Sequence, residues 1–274
     1  MHPRKKIFLS HIHEEKNLAL LIQSAIEKEF SGFVEVFVSS DDKSILAGTN
    51  FLKRIEDMLK NTSGGIFLIS HRSVKRNWIN FELGAIWISG IKDVLIPAIP
   101  FCHSGLAPKD LPSPLNSLKA IKANDEVELE QAFCTLQQVF GVKGKLKTDF
   151  TILSDQIKNI ERKNILCSRL ARIISVFVGD KFFELLPEWE KVSKGSTIEL
   201  RKSGVNSLTI GELVVLRECG LKIDMDYDIN NIREVLDTDG NTYNADICLK
   251  IPVDLLISNK AELSSYKYKK DATF

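Results

Sequence analysis

The sequence predicts an α/β protein: a parallel sheet with helices on both of its faces, followed by a smaller α+β unit. Short apolar runs bounded by polar residues recur through the first half, as in strands buried on both sides. Between them lie segments with apolar residues at helical spacing, which suit crossover connections between parallel strands. Beyond residue 146 the order changes to a long helical pattern, then to two β-rich runs around an Asp-Gly step.

Each element has a local reason. "KIFLS" is a short apolar run, and "EEKNLALLIQSAIEKEF" places Leu18, Leu21, Ile22, Ala25 and Ile26 at helical spacing, with Glu14 and Glu15 suiting the start of the helix dipole. "FVEVFVS" is β-branched and aromatic, hence a strand. "SDDKSILAGTN" is a polar loop, "FLKRIEDMLK" a helix and "GGIFLIS" a strand. In "KRNWINFELGAIWISG", Ile79, Leu83, Ile86 and Gly90 form a stripe that packs a helix on a core. "DVLIPAIPF" begins as a strand that its prolines end, and "PKDLPSPLNSL" is a proline-broken loop. "DEVELEQAFCTLQQVFG" is a helix with Gly141 as its C-cap. The ligand rim of such a sheet lies beyond the C-terminal ends of its strands. Here those ends are Ser10-His11, Ser39-Ser40-Asp41, Ser70-His71 and the segment from Pro97 to Phe101.

"GKLKTD" after Gly141 is a basic spacer, placing the boundary so that residues 1–146 form one domain and 147–274 a second with a long connecting helix. In that helix Ile157, Ile160, Leu166, Leu170, Ile173 and Ile174 form an apolar stripe able to pair with another helix. "STIELRKSG", a helix "TIGELVVLREC", and the runs "IREVLDT" and "NADICLKIPVDLLI" joined by Asp239-Gly240 complete a small α+β unit.

Composition excludes several classes. The 274 residues are 44% hydrophobic and 27% charged with a formal net charge of +1, so no global charge draws the chain to nucleic acid or an anionic membrane. No apolar run approaches a bilayer span, and "MHPRKKIFLSH" has too short an apolar core for a signal peptide, so the expected location is the cytoplasm. The scattered, odd set Cys102, Cys134, Cys167, Cys219 and Cys248 reads as reduced thiols. "DMDYDINN" imitates a calcium loop but has Ile229 and Val235 where glycine and glutamate are needed, and His11 and His13 lack a cysteine partner, so no metal is expected. No GxGxxG, GxxxxGK[ST] or GxSxG occurs. A phosphoacceptor receiver domain would need paired acids after the first strand and an aspartate after the third, where Ser10-His11 and Ser70-His71 stand.

Trp78 and Glu82 are four apart and sit one above the other on their helix. Taken alone, such a pair reads as partly exposed, with the indole covering the core edge. In order, however, "IFLSHIHEEK", "VFVSSDD…LAGTNFLKRIEDML", "GGIFLIS", "SVKRNWINFELGAI" and "VLIPAIP" resemble the motifs of the TIR (Toll/interleukin-1 receptor) domain family in its bacterial form, over roughly residues 4 to 141. The resemblance implies a flavodoxin-like sheet and, as in many bacterial members, cleavage of NAD⁺ at the nicotinamide–ribose bond, in a signal-activated effector or signal producer of antiviral defence. Glu82 matches the family's catalytic glutamate and Trp78 the aromatic four residues before it. The Asp41 to Asn50 loop, with Gly48, matches the loop that gates the site and takes part in self-association through TIR domains. Where the family often carries Arg or Lys after the first strand, this sequence has His11-Ile12-His13, so those phosphate contacts do not carry over.

The residue chemistry fits this reading. Nicotinamide departs neutral, so no general acid is needed, and a carboxylate stabilises oxocarbenium-like charge on the ribose. A glutamate of ordinary pKa, about 4.3, is ionised near neutrality. Trp78 offers a flat wall, and Ser10, His11, Ser39, Ser40, Gly48 and Phe101 complete the expected substrate surface. NAD⁺ is then substrate, and no cofactor is expected. The alternatives are a non-enzymatic TIR interaction module and a nucleoside deoxyribosyltransferase-like enzyme, which also uses a glutamate. For the second domain, only "ADICLKIPVDLL" resembles cyclic-dinucleotide sensors of the STING kind, which would bring a nucleotide second messenger as partner. A dimerisation or packing domain with a protein partner is the simpler reading.

Overall fold

A computed structural model describes residues 4–39, 61–89, 96–184, 195–206, 213–217, Leu221, 223–225, 234–237 and 240–265. The chain forms two compact units, Met1–Glu161 and Arg162–Phe274.

The first unit is built on a five-stranded parallel sheet in the order β2-β1-β3-β4-β5, from β1 (Lys5–Ser10), β2 (Val34–Val38), β3 (Gly64–Ile69), β4 (Ala98–Cys102) and β5 (Ile121–Lys122). This is the flavodoxin-like order. Strand alternation divides the core. Ile7, Leu9, Ile66, Leu68, Ile99 and Phe101 face one layer, containing α1 (Lys16–Glu29) and α3 (Glu126–Phe140). Phe8, Phe67, Ile69 and Cys102 face the other, where α2 (Asn77–Ser89) packs through Ile79, Leu83 and Ile86. Gly65 sets how closely α2 approaches: a Cβ there would lie 2.5 Å from Ile86 Cδ1 and 2.8 Å from Phe67 Cε2. Asp125 caps α3 by accepting the N–H groups of Val127 and Glu128, and Gly141 closes it at φ 68°.

The fourth strand corrects the sequence reading. It begins after Pro97 and contains Pro100. The Pro97 carbonyl accepts from Gly65 N–H and the His103 N–H donates to Ile69, so odd-numbered residues bond toward β3. The N–H that Pro100 lacks would point to the other side, where pairing with β5 starts only at Phe101. The rim at this strand is therefore His103 and Ser104, not Pro97 to Phe101.

Residues 143–149 are tied into the first unit. Glu29 accepts from the N–H of Lys147 at 3.0 Å and of Thr148 at 2.7 Å, and from the Thr148 hydroxyl at 2.6 Å. Then α4 (Phe150–Val178) begins, and its Phe150, Leu153 and Ile157 join the core of the first unit.

The second unit contains an antiparallel sheet in the order β6-β9-β7, from β6 (Thr197–Asn206), β7 (Ile223–Met225) and β9 (Gly240–Pro252), with β8 (Glu234–Asp237) also on β9. Asp237 pairs with Gly240, a two-residue hairpin as expected; Asp239 itself lies outside the described residues. "VDLLI" is not a continuation of the strand but the start of α5 (Val253–Ser258), followed by α6 (Lys260–Ser265). The C-terminal part of the α4 stripe is already covered within the second unit, by strand residues and by residues of α5 and α6. Leu170, Ile173 and Ile174 pack with Leu200, Ile247, Leu249, Ile251, Leu256 and Leu263 in the core of this unit. Cys102, Cys134, Cys167 and Cys248 are free thiols. Among the described residues no helix is long and apolar enough to cross a membrane, and no group of three His, Cys, Asp or Glu is placed to hold a metal.

Candidate functional site

Ser10 is the last residue of β1, and alternation places its side chain on the α2 side, with Phe8. Glu82 lies in the second turn of α2, between the core residues Ile79, Leu83 and Ile86. The two meet: Ser10 Oγ donates to Glu82 Oε2 at 2.6 Å, and both residues have no exposed surface. The pair stands at the carboxyl end of β1, which lies between β2 and β3, where the chain reverses its order across the sheet. That reversal is where ligands bind in open α/β sheets.

Burial reverses the simple reading of the Trp–Glu pair. The carboxylate is inside and the indole is the exposed partner, at 37%. Trp78 stacks on Phe81, itself 61% exposed, with centroids 5.4 Å apart and an interplanar angle of 26°. The helix therefore presents a flat aromatic surface beside a buried carboxylate.

Burial also changes the charge state expected from the sequence. Loss of water pushes the Glu82 carboxyl up to about 7, although the hydrogen bonds from Ser10 and Trp78 oppose the rise. Glu82 Oε1 is buried and has no hydrogen-bond partner of good geometry among the described residues. A carboxylate oxygen in that state can accept from a ligand hydroxyl, or stabilise positive charge brought beside it.

The other expected residues divide. His11 is buried directly after β1. Ser39 is buried after β2, and its N–H donates to Leu9 O at 2.9 Å, which sets it beside the end of β1. Ser40, Gly48 and the whole Asp41 to Asn50 loop lie outside the described residues. Phe101 does not join the site: it is fully buried and packs with Ile99 on the α1 side of the sheet, opposite α2.

A second buried polar group was not anticipated. Glu15, read as a helix-dipole partner, is 3% exposed and turns inward. It accepts from Ile12 N–H at 3.1 Å and the Ser70 hydroxyl at 2.7 Å, and lies 3.1 Å from Nε2 of the buried His103. The sequence signal was present, since Glu15 follows β1 closely and His103 directly follows β4, but their convergence depends on strand order.

Residues 7–136 match the family model described as TIR domain. Among solved structures, a metazoan TIR-STING receptor from C. gigas is 16% identical with a TM-score of 0.35, covering 68% of this chain and 51% of its own. The TIR domains of the activated Roq1 resistosome, which recognises the pathogen effector XopQ, are 17% identical with a TM-score of 0.33, covering 57% of this chain and 98% of theirs. The chain thus spans about half the length of the TIR-STING receptor chain. No curated protein matches.

Proposed function

We propose that the N-terminal unit, a TIR domain by its family match and its 2-1-3-4-5 sheet, cleaves NAD⁺ at the nicotinamide–ribose bond. The observation that carries this reading is the Glu82 carboxylate: fully buried, held by Ser10 and Trp78, with Oε1 lacking a partner of good geometry among the described residues, beside an exposed aromatic surface. An interaction module has no use for such a group, because a buried oxygen without a partner costs on the order of 1–3 kcal/mol.

The chemistry follows from the charge. As the C1′–N bond breaks, its electron pair returns to the pyridinium ring and nicotinamide leaves neutral. Positive charge moves to the ribose, where the Glu82 carboxylate opposes it in a site of low dielectric. Water then adds at C1′ and releases a proton, giving ADP-ribose. In the free protein Glu82 is near its midpoint at neutral pH. The cationic pyridinium of the substrate favours the ionised form, so binding and ionisation reinforce each other. Trp78 supplies a wall for the ring or sugar.

Incubation of the full chain with NAD⁺ alone, with chromatographic separation of products, tests this reading. Nicotinamide should appear with parent protein and be lost with Glu82→Gln. A requirement for an added nucleobase would indicate glycosyl transfer instead, and intact NAD⁺ at every protein concentration would leave the interaction-module reading.

A further inference from the structure

The Glu15 carboxylate joins the carboxyl ends of three strands. It accepts from Ile12 N–H after β1 and from the Ser70 hydroxyl after β3, and His103 Nε2 after β4 lies 3.1 Å away without good hydrogen-bond geometry. Ser70 is in turn locked to Ser73: its N–H donates to Ser73 Oγ at 2.7 Å, and the two hydroxyl oxygens are 3.2 Å apart. His103 Nδ1 meets Ser104 Oγ at 3.0 Å; the Ser104 N–H donates to Glu161 Oε1 at 2.8 Å, and Asn124 donates to Glu161 Oε2 at 2.6 Å. Burial alone would raise the Glu15 carboxyl, but His103, Ser70 and Ile12 hold it below the usual carboxylate range.

Stability alone does not account for this arrangement, since well-packed apolar groups often serve a core at least as well as a buried polar cluster. The positions of the donors do. Ile12 is two residues beyond Ser10, and Ser70 and Ser73 form the turn that leads into α2, which carries Glu82. Glu15 therefore grips both segments whose side chains meet in the Ser10–Glu82 hydrogen bond.

We propose that Glu15 and His103 are a buried positioning pair for the Glu82 site, fixing the turn after β1 and the turn before α2 in the arrangement that sets Ser10 Oγ on Glu82. Neither touches the reacting atoms. The proposal rests on Glu82 as the reacting centre, but its geometric content does not depend on which reaction occurs there. The other titratable groups at these strand ends, among the described residues, include His11, His13, His71, Glu14 with Arg72 at 3.9 Å, and Glu161 on α4. None is changed in the test.

The test is a ¹³C NMR titration of the Glu82 carboxyl in the full chain, its signal assigned by its loss in Glu82→Gln. In Glu15→Gln and His103→Leu the Glu82 midpoint should move upward by about one pH unit, as expected when a hydrogen bond to the charged form is lost. In His103→Gln, which keeps a donor toward Glu15, it should stay near the parent value. Where Glu15→Gln does not fold, Ser70→Ala removes one of the two hydrogen-bond donors to Glu15 and should shift the midpoint the same way. In parallel, kcat for NAD⁺ should fall about tenfold with KM little changed, as expected for misplacement of a reacting group. Folded Glu15→Gln and His103→Leu proteins with the parent midpoint would overturn the proposal. A parent that leaves NAD⁺ intact would remove the proposed reaction, while the titration would still decide whether the pair positions Ser10 and Glu82.

Discussion

The Ser10 hydroxyl reaches Glu82 Oε2 at 2.6 Å across 72 residues of sequence, joining the end of β1 to the second turn of α2. It is the short contact on which the charge of the buried carboxylate depends.

Burial makes Glu82 a group that lowers stability where it is ionised, and the Ser10 hydrogen bond moderates that effect. Its folded pKa is about 7 against an ordinary 4.5, so between these values the folded chain holds a proton that the unfolded chain releases. Stability contributed by this group is present below about pH 4.5, declines as pH rises toward 7, and stays lost above it, by about 3 kcal/mol in all. Glu82→Gln cannot ionise. Its melting temperature relative to the parent should rise across that window and level off above pH 7, while turnover falls on the order of a hundredfold or more. Parallel melting curves from pH 4 to 8 would mean that Glu82 does not titrate near neutrality.

The same group should shape the rate profile. If the ionised form opposes charge on the ribose, kcat/KM of the parent should climb with pH through a midpoint near 7, since this parameter reports the free enzyme. Ser10→Ala removes a donor to the charged form, so its rising limb should move to higher pH, with lower activity at pH 7 and partial recovery at pH 8.5. A limb that stays in place in Ser10→Ala would show that the hydroxyl does not set the charge of Glu82.

Trp78 and Phe81 stack on each other, yet only Trp78 acts on the Glu82 carboxyl. Trp78→Ala should therefore lower kcat/KM about tenfold, through both turnover and KM, and Trp78→Phe should keep the wall while losing the donor. Phe81→Ala should affect KM more weakly. Equal kinetics for parent and Trp78→Ala would confine the indole to packing.

Local pattern made much of the first unit legible. The apolar runs of β1, β2 and β3 and the stripe Ile79–Leu83–Ile86 required only periodicity, and the hairpin around Asp239-Gly240 required only turn chemistry. Three features needed the assembled sheet. Pro100 is tolerated in β4 because its missing N–H faces a side where β5 has not yet begun to pair, and sequence alone does not reveal the neighbouring strand. Phe101 reads as a rim residue only if the prolines end the strand, whereas β4 runs through Pro100 to Cys102. Glu15 reads as a surface acid at a helix start, since its partners Ile12, Ser70 and His103 follow β1, β3 and β4 and only the strand order brings them together.

Control of the activity should depend on how much of α4 is retained. Residues 144–149 read as a spacer, but Phe150, Leu153 and Ile157 lie in the core of the first unit, and Glu161 binds Ser104 and Asn124 within it. Truncation after Gly144 should therefore destabilise the first unit, since loss of a large buried side chain typically costs roughly 2–5 kcal/mol. A chain ending after Glu161 keeps these contacts and should fold. If copies of the first unit complete the site by associating, the specific activity of the full chain should rise with protein concentration, in step with particle mass measured by light scattering. The 1–161 chain should show the same rise without any dependence on a partner of the second unit. Constant specific activity from a monomer, as fast as any assembled form, would reject control by assembly and leave Arg162–Phe274 without that role.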